Sequence, residues 1–105
     1  MAITSAIATS FKVEILKAVH NFTNSSGNTF KVALIKANAS QSGTYGAATT
    51  SYTDVTGNSD ELANGNGYAT GGVTLVNTTP SSSGTTAHLT FTNNAQWTSA
   101  TFTTR

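Results

Sequence analysis

The segment Gly65-Asn66-Gly67-Tyr68-Ala69-Thr70-Gly71-Gly72 constrains this chain more than any other, because it sets four of the nine glycines around one tyrosine and runs straight into Val73-Thr74-Leu75-Val76. Asn-Gly and Gly-Gly steps admit positive φ and close backbone approach, so the segment reads as a turn, an anchored Tyr68, a second turn and the entry to a strand. Gly65, Gly67, Tyr68, Gly71 and Gly72 are therefore expected to form a structural hinge that brings together the strands on either side. A nucleotide-binding fingerprint fits poorly: Thr70 stands where the third glycine belongs, and a strand follows instead of a helix N-terminus.

Upstream of the hinge, Ile3, Ile7, Phe11, Ile15 and Val19 recur at every fourth position with Leu16 beside them, which predicts a helix over 3–20. Ile7, Phe11, Ile15 and Val19 are the residues expected to dock that helix on a sheet or on a neighbouring copy. Thr4 or Ser5 serves as an early N-cap and Ser10 as a later one. Residues 29–36 are the clearest strand, with Phe30, Val32 and Leu34 on one face. Lys31 and Lys36 fall on opposite faces, which calls for a bulge, an edge or a strand end near Lys36. Residues 37–48 read as a polar loop and 49–55 as a short strand anchored by Tyr52. A turn over 56–62 follows, with one helical turn capped by Asn58 or Ser59.

Beyond the hinge, 73–78 is a β run ended by Pro80 and a flexible 81–84, and 85–92 alternates Ala87, Leu89 and Phe91 against Thr86, His88 and Thr90, giving a hairpin. Residues 96–104 supply a last strand in which Trp97 and Phe102 share a face only if a bulge lies near Ser99; both are candidate interface residues. The expected fold is mainly β in a single domain, 1–105: an N-terminal helix followed, over 29–105, by an antiparallel β-sheet or small β-sandwich.

Composition narrows the function classes. Only 9% of the residues are charged, against about a quarter in most proteins, and the net charge is +1, so neither a nucleic-acid groove nor an anionic membrane is being addressed. So little charge gives little repulsion between copies, which suits a chain that packs against itself or a lattice. There is no cysteine, hence no disulfide and no thiolate metal site. Asp54, Asp60 and Glu61 cluster with Asn58 and supply oxygen ligands of the kind a hard cation takes, but their spacing matches no calcium loop, and a solvated turn with a helix cap is the simpler reading. His20 and His88 lack partners for a metal site, and no serine has the surroundings of a nucleophile. No enzyme activity, cofactor or metal is expected, and Phe11, Phe22, Phe30, Tyr68, Phe91, Trp97 and Phe102 are assigned by default to the core. The start of the chain lacks the basic region of a signal peptide, so synthesis in the cytoplasm is expected.

Four pieces in order, Ser10-Phe11-Lys12 with Ile15-Leu16 and His20-Asn21-Phe22, then residues 29–34, then Gly67-Tyr68-x-x-Gly71-Gly72, then Trp97-x-x-Ala100-Thr101-Phe102-Thr103-x-Arg105, cover nearly the whole chain. Together they resemble a family of small virion structural proteins of tailed, cyanophage-like bacteriophages. The resemblance implies a non-enzymatic role on the particle. It is expected to be a capsid decoration (cement) protein on the head surface, a homo-oligomer partnered by the major capsid protein, or alternatively a tail fibre or other tail-associated adhesion component. Relatives run on past the arginine that Arg105 resembles, so 97–104 is expected to be left open for pairing.

Overall fold

In the computed structural model, which describes residues 5–104, the chain assembles along the segment 30–36. Its first half is β1 (Phe30–Val32), paired antiparallel with β2 (Val73–Leu75) in the register Phe30↔Leu75, Lys31↔Thr74 and Val32↔Val73. Phe30 and Val32 face inward and Lys31 faces solvent, as alternation on a half-buried strand requires. The ladder breaks at Ala33 and the second half changes partners: Leu62 donates its amide to Leu34 O, and Lys36 donates to Asp60 O, each at 2.9 Å. The strand is thus shorter than 29–36. The break also accommodates the two opposed lysines, because Lys36 belongs to a different pairing from Lys31.

The second sheet is the hairpin of β3 (Ser81–Ser83) and β4 (Thr86–His88), closed by Gly84-Thr85 with Gly84 at φ 57°. Positive φ at the first central residue alone is the pattern of a II′ turn, whose twist suits a hairpin. The serines expected to be a flexible connection are therefore a strand. Their pairing continues toward the body through Thr78 N–H to Thr90 O and Thr92 N–H to Val76 O, both 2.9 Å. Two small antiparallel sheets and a few short helical segments make the fold mostly non-helical.

Helix α1 spans Thr9–Leu16, shorter than the expected 3–20, of which Ile3 and Thr4 lie outside the described residues. Ala8, which has no side-chain acceptor, stands at the N-cap position, and Ser10 lies inside the helix with its hydroxyl donating to Thr49 O at 3.3 Å. At the other end Ala18 takes φ 56°. Its N–H reaches Ile15 O and the Val19 N–H reaches Glu14 O, both at 3.0 Å, which closes the helix as a Schellman motif before Val19 and His20. A left-handed alanine costs about 1 kcal/mol that glycine does not. Ala18→Gly is therefore expected to raise stability by about 1 kcal/mol, read as a melting temperature higher by roughly 4–8 °C in thermal denaturation.

Residues 49–55 are not a strand. Tyr52–Gly57 form helix α2, because Asp54 Oδ2 accepts hydrogen bonds from Thr50 N (2.7 Å), Ser51 N (3.1 Å) and Thr50 Oγ1 (3.0 Å). These local side-chain bonds satisfy the free donors of a helix start and override the β preference of Tyr52, Thr53 and Val55. Asn58 and Ser59 then end a helix instead of beginning one. Ser59 is left-handed at φ 56°, and the Asp60 N–H reaches back to Val55 O at 3.0 Å. Residues 96–104 form no ladder either; a single bridge joins Thr104 to Lys36, and Ser99, at φ 50°, turns the chain between Trp97 and Phe102.

Burial is sparse. Tyr45 and Tyr68 are the only hydrophobic side chains fully buried among the described residues. Of the expected docking stripe only Phe11 packs, in an aromatic cluster with His20 (5.0 Å), Phe22 (6.5 Å, edge-on) and, through Phe22 stacked at 4.3 Å, Phe30. Ile7, Ile15 and Val19 are exposed, so the stripe does not dock α1 on either sheet of its own chain. The helix is too short to carry a four-residue period from Ile7 to Val19, and the flanking residues leave its face.

Candidate functional site

The hinge is a pair of turns. Gly65 and Tyr68 exchange backbone hydrogen bonds (2.8 and 2.9 Å) across Asn66 (φ 51°) and Gly67 (φ 89°), the positive-positive pattern of a I′ turn. Gly72 N–H then bonds Ala69 O at 3.0 Å with Gly71 at φ 88°, which is the glycine position of a type II turn. Gly72 itself stands at φ 73° against β1, where a Cβ would fall on the Val32 carbonyl. Between the turns Tyr68 is buried, 3% exposed.

Tyr68 leads to the centre of the molecule. Its hydroxyl donates to Glu61 Oε1 at 2.7 Å and accepts from Leu34 N–H at 3.1 Å. The Gly71 N–H, presented by the second turn, donates to the same Oε1 at 2.6 Å, and the Tyr52 hydroxyl of α2 donates to Glu61 Oε2. On the neighbouring residue, Asp60 Oδ2 accepts from the Tyr45 hydroxyl (2.6 Å), Gly43 N (2.7 Å) and Ser42 N (2.9 Å), while Oδ1 accepts from Ser42 N at 2.8 Å. All three tyrosines of the chain thus converge on two adjacent carboxylates. Asp60 is wholly inaccessible and Glu61 nearly so. Trp97 and Phe102, half-buried, pack on Tyr68 with ring centroids 6.2 Å away, and Thr101 N–H to Asn66 O (3.0 Å) ties their segment to the first turn.

The electrostatics favour ionised carboxylates. The Tyr45 hydroxyl outweighs burial at Asp60 and, with the Ser42 and Gly43 amides and the charge of Lys36, holds its pKa below the ordinary value. Burial pushes Glu61 upward, yet the bonds from Tyr52, Tyr68 and Gly71 leave its pKa lowered overall. The tyrosines respond in the opposite sense: the bond to Glu61, then burial, push Tyr52 up to about 12, while Tyr45 and Tyr68 are raised by burial first and by Asp60 and Glu61 second. Each carboxylate oxygen is committed to internal donors, so the centre is built to hold charge and chain segments in place. Among the described residues no group of three or more metal-ligating side chains occurs.

A two-sided pH profile follows. Depressed carboxylate pKa values mean that the unfolded chain takes up protons first on acidification, so stability is full above the ordinary carboxylate range of about pH 4–5 and falls as the pH drops below it through the depressed folded values. Raised tyrosine values mean that the unfolded chain loses protons first at high pH, so stability is full below about pH 10 and falls toward pH 12. Urea denaturation midpoints measured across pH should show a plateau bounded by these two declines.

The sequence points to Tyr68 and the glycines but reads Asp60 and Glu61 as part of a solvated turn. The structure corrects this: both are buried, and Asp54, which caps α2, is separate from them. Comparisons with protein-family models, with curated proteins and with solved structures find no match for this chain.

Proposed function

We propose that the protein is a structural component of a bacteriophage virion, a capsid decoration (cement) protein that sits as a small homo-oligomer on the head exterior and contacts the major capsid protein after synthesis in the host cytoplasm. The resemblance of the four sequence pieces supports this reading. The observation that carries it is the burial: among the described residues two hydrophobic side chains are buried while Ile7, Val13, Ile15, Leu16, Val19, Tyr52, Val76 and Leu89 stay exposed. A body so thinly filled is suited to completion by neighbours, with its two small sheets as leaves of a β-sandwich finished in the assembly. Commitment of the central carboxylates to internal hydrogen bonds supports a non-enzymatic role.

A tail fibre or other tail-associated adhesion component is the second reading, favoured by the wholly exposed Ser/Thr-rich hairpin β3–β4. Quantitative gel densitometry of purified virions separates the two. A decoration protein is present in hundreds of copies and a tail part in few, and absence from the particle overturns both. With so few charges, release from heads should change little as salt is raised. Release at moderate salt would instead point to Lys31, Lys36 or Arg105, the last of which lies outside the described residues, as ionic anchors.

A further inference from the structure

We infer that the open edge of β4 is an interaction surface for a second copy of itself, so that two hairpins join as one four-stranded antiparallel sheet about a twofold axis at Ala87. All residues of β3 and β4 are exposed, and among the described residues their sheet has no third strand. A two-stranded hairpin with both faces in water is marginal, whereas three or more strands support one another. The two-residue loop Gly84-Thr85 makes Ser83 and Thr86 the hydrogen-bonded closing pair. By the alternation of an antiparallel ladder, Ser82 and Ala87 are then the pair without mutual bonds, and their N–H and C=O groups point away from the hairpin on its two edges. Among the described residues no other segment bonds those groups.

The two edges differ. Pro80, which has no N–H, stands immediately before β3 and interrupts the donors of that edge, the way natural sheets block unwanted pairing. The β4 edge, Thr86-Ala87-His88, carries neither proline nor lysine. The occupant follows from the symmetry of this edge. An antiparallel copy set about Ala87 exchanges two identical bonds, the N–H of each Ala87 donating to the C=O of the other, so one strand satisfies both outward groups. The small side chain at the axis meets only its own methyl group, and Thr86 lies opposite the His88 position of the copy. Identical strands laid side by side bring like charges together, and here there are none: from Leu62 to Thr104 the chain holds no Asp, Glu, Lys or Arg. The contact supplies the oligomer of the structural-component reading without resting on that reading, which virion densitometry tests separately.

The test is sedimentation velocity of the purified full-length chain over about a hundredfold range of concentration. The wild type is expected to sediment above the 10.8 kDa of one chain, increasingly so as concentration rises. Ala87→Pro removes the outward donor and leaves the bonded pairs of the hairpin in place, so the dissociation constant should rise at least about tenfold. Ser82→Pro, the same change on the β3 edge, should associate as the wild type does. Should Ala87→Pro disturb the hairpin itself, two substitutions that keep the N–H decide. Ala87→Lys and Ala87→Glu, at an exposed position, should each associate more weakly than wild type, and their equimolar mixture should associate again, because a twofold contact sets position 87 against itself. A wild type that stays monomeric at every concentration overturns the inference, even if it binds another protein through β4. So does a mixture of the Lys and Glu variants that associates no better than either alone, or a loss in Ser82→Pro as large as in Ala87→Pro.

Discussion

Asp60→Ala is expected to lower the melting temperature by roughly 15 °C or more, the largest effect of any single side-chain truncation in the chain. The change leaves the amides of Ser42 and Gly43 and the buried hydroxyl of Tyr45 without the acceptor that the wholly inaccessible Asp60 supplies. Orphaned buried donors bear their full desolvation penalty, whereas a hydrogen bond merely exchanged with water contributes little. Asp60→Asn keeps one acceptor oxygen but sets an amide N–H₂ against donors, so it should fall between wild type and Asp60→Ala. Circular dichroism melts of the three proteins beside Lys12→Ala, an exposed change on α1, provide the comparison. A loss at Asp60→Ala no larger than at Lys12→Ala would mean that the loop 42–45 is held by something else.

Gly72→Val is expected to destabilise the domain by at least about 3 kcal/mol, or to prevent folding, because two penalties coincide. A β-branched residue at φ 73° is strained in itself, and its Cβ falls on the Val32 carbonyl inside the β1–β2 pairing. Gly71→Ala separates the two effects. Its φ of 88° is equally unfavourable, but the nearest atom to the added carbon is Lys31 Nζ at 3.9 Å, so only the backbone term, about 1 kcal/mol, should be lost. Urea denaturation of both variants checks the ranking. Equal losses would place the close approach of Gly72 to β1 in doubt.

Much of the hinge was legible because its chemistry is local: Asn66-Gly67 and Gly71-Gly72 specify turns whatever surrounds them. The first half of the spine 30–36 was visible for the same reason, as alternation over a few positions, while Ser81–Ser83, without any apolar alternation, read as a flexible connection and is a strand. What was hidden depends on contacts distant in sequence. Asp60 meets Ser42, Gly43 and Tyr45, and Glu61 meets Tyr52, Tyr68 and Gly71. Nothing in Asp60-Glu61 itself says that amides and hydroxyls from three other segments will close over it. The helix α2 was missed because one carboxylate, Asp54, collects three donors and outweighs the β propensity of the residues that follow. The α1 stripe misled in the other direction, since a four-residue period shows which residues can share a face and not what that face will meet.

Native-state hydrogen exchange at the amides of Ser42, Gly43 and Gly71 tests most directly whether the fold is held at the Asp60–Glu61 centre. These three lie outside the helices and strands, where amides ordinarily exchange fast, yet each donates to a buried carboxylate. The expected result is that they exchange as slowly as Leu34 on the spine and Leu62 bonded to it, with the same dependence on denaturant, so that they open only when the whole domain unfolds. Exchange at Ser42, Gly43 and Gly71 as fast as at the exposed hairpin β3–β4 would contradict it, and would show that the carboxylates are incidental to what keeps the chain folded.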